Sequence, residues 1–515
     1  LPSQYRGVDG GLHVGEMTYT AVVVPECHTL RSSTLDILRK FKAAGGNLIF
    51  AGSAPKYVDA QPSLEGTELY NESVRVPFSR AAILSALESE RIVSLKNADG
   101  SDTNNLIYAM RRDESDSADW LFLAHSRKNI CLDVSHPQRV KISVRGEYTP
   151  LLYDTITGEI KEIEYRYEGK STVIETTLYA YDSLLLKLNY GRTEPSSHIS
   201  TQSFPRPEKT LFFRDTVSFT LSEPNVLLLD TARYAADDMP YSEEEEEILR
   251  ADNICRMAAG LPRKVSRPAQ PWVIKKETPS HKIRLLFTIE SEIDVPDALL
   301  AIERPENASI TFNGEAVQTK PVGYFTDEAI KTLPLPTIKR GVNTLEVILP
   351  LGERTCTEWC YILGNFGVRV EGCKKTLTEM PQKVGFGSIT TSGMPFYGGN
   401  ITYKLTFDTD TERDAAIFVG TYRGAAVKVK LDGRDLGVVA YEPYIKRAGA
   451  IPAGRHELEL TLLGTRHNCF GALHDTDYGN NWYGPDKWRT TGDAWCYEYK
   501  IRDMGIMTSP VIYLA

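Results

Sequence analysis

The sequence predicts a mainly β protein, with two jelly-roll β-sandwiches and a smaller antiparallel β-sandwich that follow a short α/β segment. Three observations predict this fold class. From about residue 90 onward, short apolar or alternating runs are separated by turn residues, as in antiparallel sheets. One strand–hairpin–strand plan occurs twice in the second half of the chain. A helical period flanked by two apolar runs near the beginning indicates a βαβ unit.

The first segment carries that βαβ pattern. Tyr19 to Pro25 is a continuous apolar run, as expected for a strand that is buried on both faces. Thr29 to Ala44 has a helical period, with Ser32 or Ser33 predicted as its N-cap, and Asn47 to Ala51 is the next strand. One such unit is too little for a complete doubly wound domain, so we expect a partial α/β domain.

The period changes from helical to strand-like after a helix that is predicted near Arg80 to Ser89. Turns such as Arg145-Gly146 and Thr157-Gly158 separate the apolar runs that follow. These runs predict a small antiparallel sandwich. Its strands are expected at Trp120 to Ala124, Val140 to Val144, Leu151 to Tyr153, Thr172 to Thr177 and Ser183 to Leu188.

Two larger β regions share one order of elements. Asn313-Gly314 follows the run from Ser309 to Phe312, and Asp432-Gly433 follows the run from Val427 to Leu431. Asn-Gly and Asp-Gly between strands predict type I′ hairpins, because that turn needs a positive φ at two consecutive residues. In each region a second glycine then opens a return strand with the pattern Gly-x-Asn or Gly-x-His. This repeat predicts two sandwiches of the same plan.

These patterns divide the chain into five parts. The polar, proline-containing stretch from 192 to 210 is typical of a linker. The expected parts are a partial α/β domain at 1–90, a small β-sandwich at 91–191, the linker at 192–210, and two larger β-sandwiches at 211–375 and 376–515.

The composition excludes several classes of function. The chain has 515 residues and a net charge of −9, and it lacks the clustered Lys and Arg by which proteins bind nucleic acid. No apolar run approaches the roughly 18 residues of a membrane span. The start, Leu1-Pro2-Ser3-Gln4, has neither a signal-peptide pattern nor an initiator Met, so we expect a cut in a longer chain. The eight cysteines show no zinc-finger spacing and leave the compartment open between cytoplasmic and secreted.

An acidic run precedes a helical pattern between Asp237 and Met257. Glu243 to Glu247 is interpreted as the solvated start of a helix whose sequence is ILRADNICRMA. A calcium site is the lesser alternative, because Ca²⁺ needs oxygen ligands that converge in a loop. We therefore expect no cofactor, with a structural calcium ion as the alternative.

Several motifs, taken in chain order, resemble the C-terminal region of large bacterial glycoside hydrolases similar to family 106 α-L-rhamnosidases. The accessory β-sandwiches of family 2 enzymes, which have a galactose-binding-like fold, are similar too. The motifs are Gly15 to Tyr19 with the following VVVPECHTL and AAGGNLIFAG, Tyr153 to Ile160, Asn225 to Asp230, Phe312 to Gly314, Lys430 to Gly437, and His467 to His474.

The resemblance implies a role without catalysis. Such enzymes place two catalytic carboxylates on a (β/α)₈ barrel, which would lie before residue 1, so no catalytic residue is carried over to this chain. The implied partners are an oligo- or polysaccharide and an upstream catalytic barrel of the same parent chain. Two alternatives stay open, namely a stand-alone carbohydrate-binding protein and a complete hydrolase with an unfamiliar site.

A glycosidase needs a paired acid and base, and three glutamates near apolar strands are candidates. Glu303, Glu353 and Glu358 could be tuned by burial, but we interpret them as carboxylates at a sandwich edge or in salt bridges. Cys27-His28 lies at the end of a parallel strand, but it lacks the glycines of a nucleophile elbow. We interpret that pair as structural.

The candidate carbohydrate site is the aperiodic stretch from His474 to Trp495. It mixes aromatic rings with amide and carboxylate groups, which suits the apolar faces and hydroxyls of a sugar. A long loop packed on its own aromatic residues is the alternative. The aromatic residues of Gly393 to Gly399 are expected in the core. The predicted carbohydrate-binding residues are His474, Asp475, Tyr478, Asn481, Trp482, Tyr483 and Trp488.

Overall fold

A computed structural model describes residues 4–127, 133, 135, 137–193, 206–264, 271–273, 278–477 and 484–515. It confirms a mainly β fold of antiparallel sheets. The chain divides into two compact units, the first made of 1–132 and 136–201 and the second of 133–135 and 202–515. Across the described ranges, no helix has the length and apolar character that crossing a membrane requires.

The first unit holds an α/β part and a small sandwich. Its elements are β1 (Tyr5–Val8), β2 (Leu12–Val14), β3 (Met17–Tyr19), β4 (Ala21–Pro25), β5 (Thr29–Leu30), α1 (Ser32–Ala43), β6 (Asn47–Ala51), β7 (Tyr57–Val58), β8 (Gln61–Pro62), α2 (Glu65–Asn71), β9 (Val74–Val76), α3 (Arg80–Ala86), β10 (Val93–Asn97), β11 (Leu106–Asp113), β12 (Ala118–His125), β13 (Gln138–Arg145), β14 (Tyr148–Tyr153), β15 (Ile160–Glu162), β16 (Tyr165–Glu168), β17 (Ser171–Leu178) and β18 (Ser183–Tyr190).

The predicted βαβ unit is confirmed, and its N-cap is corrected. Strands β4, β6 and β9 pair in parallel, and α1 packs on them through Leu35, Leu38 and Phe41. The helix begins at Ser32 itself, so the prediction that Ser32 or Ser33 caps it is wrong. Asp59 Oδ1 accepts the N–H of Ser32 at 3.1 Å, so a carboxylate from a neighbouring loop satisfies one of the free N–H groups of the first turn.

The small sandwich has two antiparallel sheets, with strand orders β10-β13-β17-β16 and β11-β12-β18-β14-β15. The alternation of its strands explains the packing, because Val140, Ile142 and Val144 of β13 are buried while the residues between them are half-buried. Leu121 and Leu186, from two strands of the other sheet, complete the same core.

The second unit holds the two larger sandwiches. Its elements are β19 (Lys209–Phe212), β20 (Val217–Leu221), β21 (Asn225–Leu229), β22 (Thr231–Ala236), β23 (Glu246–Glu247), α4 (Ile248–Ala258), β24 (His281–Ser291), β25 (Leu299–Glu303), β26 (Ser309–Phe312), β27 (Glu315–Ala316), β28 (Gly323–Phe325), β29 (Asp327–Pro334), β30 (Gly341–Leu351), β31 (Cys360–Gly364), β32 (Gly367–Glu371), β33 (Lys374–Thr378), β34 (Lys383–Val384), β35 (Ile401–Thr409), β36 (Arg413–Phe418), β37 (Tyr422–Arg423), β38 (Ala426–Leu431), β39 (Arg434–Val439), β40 (Ile445–Ile451), β41 (Gly454–Leu463), α5 (His467–Phe470), β42 (Gly505–Ile506) and β43 (Val511–Leu514).

The first large sandwich packs the sheet β21-β31-β25-β29-β28 against a larger sheet built around β24 and β30. The second packs β19-β43-β36-β40 against β34-β20-β35-β41-β38-β39. Strands β19 and β20 precede the first large sandwich in sequence and pair with strands of the second, so the chain passes from the second sandwich to the first and back.

The repeated hairpin is present in both sandwiches, and equivalent hydrogen bonds stabilise it in each. Asn313 and Asp432 have φ values of 50° and 51°, and the glycine after each is also in the left-handed region. Each side chain accepts the N–H of a residue on the return strand at 2.8 Å, from Thr344 and Glu457 respectively. The Asn or His of the Gly-x-Asn/His pattern contacts the same turn residue, so this pattern marks a side-chain bridge between hairpin and return strand.

The acidic run differs from its prediction. Glu243, Glu244 and Glu245 are exposed, but Glu247 is buried at the N-cap of α4. The helix itself is buried on much of its surface. The predicted solvent exposure therefore holds only for the first three glutamates of the run. Between residues 393 and 399 the side chains of Met394, Phe396 and Tyr397 are buried, which confirms the core position expected of those aromatic residues.

The hairpin geometry predicts the effect of removing its glycine. Gly433 has φ +77°, and no atom lies within 4 Å of the point where a Cβ would stand, so the cost of Gly433→Ala is conformational. We expect a loss of about 1–2 kcal/mol in the free energy of unfolding, measured by urea denaturation. Gly385 has equal space without a positive φ, so Gly385→Ala should be neutral or stabilising. Equal losses in the two variants would contradict the left-handed requirement.

Candidate functional site

A cavity of about 460 Å³ in the second unit combines aromatic rings with carboxylates. It lies on the side of the sheet β21-β31-β25-β29-β28 that carries Tyr361, and its other walls include Leu249 of α4, Phe470 of α5, Trp488 and Arg489. The side chains that matter for its chemistry are Glu303, Glu358, Trp359, Tyr361, Phe470, Trp488 and Arg489.

Strand register brings two of these side chains to one face. Ala301 of β25 pairs with Tyr361 of β31, and Glu303 follows Ala301 by two residues, so Glu303 and Tyr361 point to the same side. Ile330 of β29 pairs with Glu303 and adds an apolar neighbour on that face. The sheet therefore supplies one carboxylate within an otherwise apolar floor.

The opposite wall comes from the last fifty residues of the chain. The ring of Phe470 lies 5.3 Å from that of Tyr361 and 5.9 Å from that of Phe325, measured between centroids. Trp488 donates its indole N–H to the carbonyl oxygen of Phe470 at 3.2 Å. Arg489 donates to the carbonyl oxygen of Leu249 at 3.2 Å, which joins this wall to α4.

A buried acid fixes the fourth aromatic ring. Glu247 accepts the indole N–H of Trp359 at 2.8 Å and the backbone N–H of Arg250 at 3.1 Å. Burial raises the pKa of Glu247 to about 7, against the opposing effect of the Trp359 hydrogen bond. Because Trp359 is itself buried, this bond sets which ring surface faces the cavity.

The loop from Gly352 to Trp359 is held by the next turns of the same helix. Arg256 pairs with Asp252 at 2.8 Å, and its other nitrogens donate to the carbonyl oxygens of Gly352 and Thr355. Asp252 also accepts the hydroxyl of Thr357 at 2.9 Å. Every one of these contacts is buried or partly buried, so the loop has a defined path.

Glu358 lies between the two anchored residues Thr357 and Trp359, and its side chain lines the cavity. Desolvation, followed by the like charge of Glu303, raises the pKa of Glu358 to about 7. The residue remains exposed to solvent, so water screens part of its interaction with Glu303. Among residues whose positions the structure describes, none forms a hydrogen bond or ion pair with the carboxylate of Glu303 or Glu358.

Two of the predicted site residues are buried away from this cavity. His474 faces the carbonyl oxygen of Cys496 with Nδ1 at 2.9 Å and Asp230 with Nε2 at 3.1 Å, so both nitrogens meet acceptors. Asp475 is paired with Lys487 at 3.0 Å. Lys487 belongs to the short 3₁₀ helix that carries Trp488 and Arg489. The ion pair with Asp475 therefore helps to position the helix that lines the cavity.

Asp230 is the centre of that buried network. One carboxylate oxygen accepts from Lys375 and from the Tyr499 hydroxyl, each at 2.7 Å, and the other accepts from His474. Although burial opposes its ionisation, the charge of Lys375 and the hydrogen bond from His474 hold the pKa of Asp230 below its usual range. The ring of His474 packs 4.8 Å from that of Trp495.

The remaining predicted residues divide into two groups. Trp488 lines the cavity, whereas Tyr478, Asn481, Trp482 and Tyr483 lie outside the described residues. Trp359 and Tyr361 were missed as site residues, although the adjacent candidate Glu358 marks the same stretch. Arg489 follows Trp488 directly, and this adjacency was the available signal for it.

The structure also bears on the Cys27 thiol and on the expected calcium site. Burial raises the pKa of the Cys27 thiol, which disfavours the thiolate that a nucleophile requires. Among the residues that the structure covers, no cluster of three or more His, Cys, Asp or Glu side chains could hold a metal ion. The structural calcium ion therefore stays a prediction.

No protein-family model matches the sequence, and no curated protein matches it. Among solved structures, a rhamnosidase from Novosphingobium sp. PP1Y is 14% identical, with a TM-score of 0.41. The match covers 98% of this chain and 35% of the rhamnosidase chain. An α-L-rhamnosidase from Streptomyces avermitilis is 10% identical, with a TM-score of 0.23 and coverages of 81% and 39%. A GH2 β-galacturonidase from Eisenbergiella tayi is 8% identical, with a TM-score of 0.18 and coverages of 48% and 37%. This chain thus spans about a third of the Novosphingobium enzyme.

The Asp230 network predicts a large loss of stability on removing its charge. Asp230→Asn leaves Lys375 as a buried cation without its counterion, and we expect a loss of about 3–5 kcal/mol in urea denaturation. Asp238 is the matched control, because it also pairs with a lysine but is exposed, and Asp238→Asn should change little. A small effect of Asp230→Asn would show that the network is dispensable.

Proposed function

We propose that this chain is a non-catalytic accessory region of a glycoside hydrolase and that it binds carbohydrate in the cavity lined by Trp359 and Trp488. The single observation that supports this most strongly is the combination of four aromatic side chains in one cavity with two carboxylates that have no hydrogen bond or ion pair to any described residue. Support of an upstream catalytic barrel, which the sequence resemblance implies, is part of the same proposal.

The hydrogen bonds of the two tryptophans favour stacking. Both indole N–H groups are engaged by protein acceptors, so the rings offer their faces rather than a donor to a ligand. The C–H faces of a pyranose are suited to such surfaces. The carboxylates of Glu303 and Glu358 are acceptors for the hydroxyl groups at the edge of the same ring.

The size of the cavity agrees with a small ligand. Its volume of about 460 Å³ lies within the range of roughly 300–1,000 Å³ that is typical of small-molecule sites. Its lining is mixed, with apolar rings and a few convergent polar groups, which is the usual composition of such sites. We therefore expect it to take the end of a glycan chain.

Truncation of Trp488 should weaken binding. Trp488→Ala removes one aromatic wall, and we expect affinity for glycans selected on a glycan array to fall by about tenfold, measured by calorimetry. Trp488→Phe should keep part of the affinity, because it keeps a ring.

The exposed Trp272, outside the cavity lining, is the control, and Trp272→Ala should bind like the parent chain. Unchanged binding in the folded Trp488→Ala variant would remove the cavity from consideration.

Hydrolysis is a second candidate function, favoured by the placement of Glu358 and Glu303 together. A carboxyl whose pKa is raised toward neutrality beside a second carboxylate is the arrangement of a general acid with its base or nucleophile. In that case the purified chain would release the phenol from aryl glycosides, and Glu358→Gln would abolish the release. Absence of turnover on aryl rhamnosides and galactosides would exclude it for those sugars.

A further inference from the structure

The charges of the cavity indicate more about the ligand than its aromatic lining does. Its lining contains two carboxylates, Glu303 and Glu358, and one guanidinium, Arg489. Arg489 is engaged with a backbone carbonyl oxygen, whereas no hydrogen bond or ion pair to either carboxylate occurs within the described part of the chain. With both acids ionised, the lining carries one net negative charge that no side chain of the lining offsets.

The charged groups around the cavity do not neutralise the net negative charge of its lining. Asp252 faces Glu358 from α4, but it forms a buried pair with Arg256. Arg304 faces Glu358 from the end of β25 and is exposed, so solvent and salt screen its charge.

We infer that the cavity selects a sugar that carries a free ammonium group, placed between the carboxylates of Glu303 and Glu358. This inference rests on the proposed carbohydrate binding and names the class of ligand, a basic amino sugar. One ammonium group neutralises the net charge of the lining and supplies three hydrogen-bond donors to carboxylates that no described residue contacts as a donor. The faces of Trp359 and Trp488 favour the same group, because aromatic rings attract cations.

Competition with a proton follows from the same geometry. Without a ligand, desolvation of Glu358 and its repulsion by Glu303 both favour the uptake of a proton by Glu358. A bound ammonium group favours the ionised form, so binding should release a proton. Affinity for an amino sugar should therefore rise as the pH increases from about 5.5 to about 7, whereas a neutral sugar gains nothing from the ionisation.

The test compares matched ligands on the whole chain. Binding of D-glucosamine and D-galactosamine is measured by calorimetry against their N-acetyl and neutral counterparts. We expect the amines to bind about tenfold more tightly than their N-acetyl forms at neutral pH. The affinity of the amines should be lower at acid pH than at neutral pH. Glu303→Gln and Glu358→Gln should each remove this preference.

Glu315→Gln, on the exposed hairpin of the same sandwich, is the matched control and should retain the preference. Equal affinity for amines and neutral sugars would overturn the inference and leave the proposed carbohydrate binding in place. Preference that persists in both glutamine variants would also overturn it. Failure of every sugar in the set to bind would overturn the inference, whereas the proposed function would fail only if no glycan on the array bound.

Discussion

The cavity depends on ionic groups buried along one helix. Glu247, Asp252 and Arg256 of the α4 region are all inaccessible to solvent, where an unpaired charge would be costly. Each is satisfied by a contact to the stretch from Gly352 to Trp359, so the helix and the loop are stable only together. This reciprocal requirement gives Glu358 and Trp359 defined positions without any regular secondary structure of their own.

Local features of the fold were predictable because their causes are local. The two x-Gly hairpins follow from a backbone that needs consecutive positive φ values, and the β4–α1–β6 unit follows from two periods of apolar residues. Even the Gly-x-Asn/His pattern has a cause at short range, in the bridge from Asn343 or His456 to the turn. Sequence alone was sufficient for these features.

The cavity was not predictable in the same way, because its walls are distant in sequence. Leu249, Glu303, Glu358 and Trp488 meet through strand register and through packing of the final segment, neither of which a periodic pattern encodes. Composition also misled at the acidic run, where five adjacent glutamates look alike. What distinguishes Glu247 is its place directly before the apolar Ile248 and Leu249, which makes it the N-cap of a buried helix.

The two large sandwiches are coupled through this site rather than being independent. Phe470, Trp488 and Tyr499 follow β41 of the second sandwich in the chain and pack on the core of the first. Asp230 of the first sandwich receives hydrogen bonds from His474 and Tyr499, so part of its charge is stabilised by a chain that arrives more than 240 residues later. Neither sandwich can form the cavity alone. A ligand that contacts both Trp488 and Glu303 would therefore stabilise each sandwich and also the contact between them.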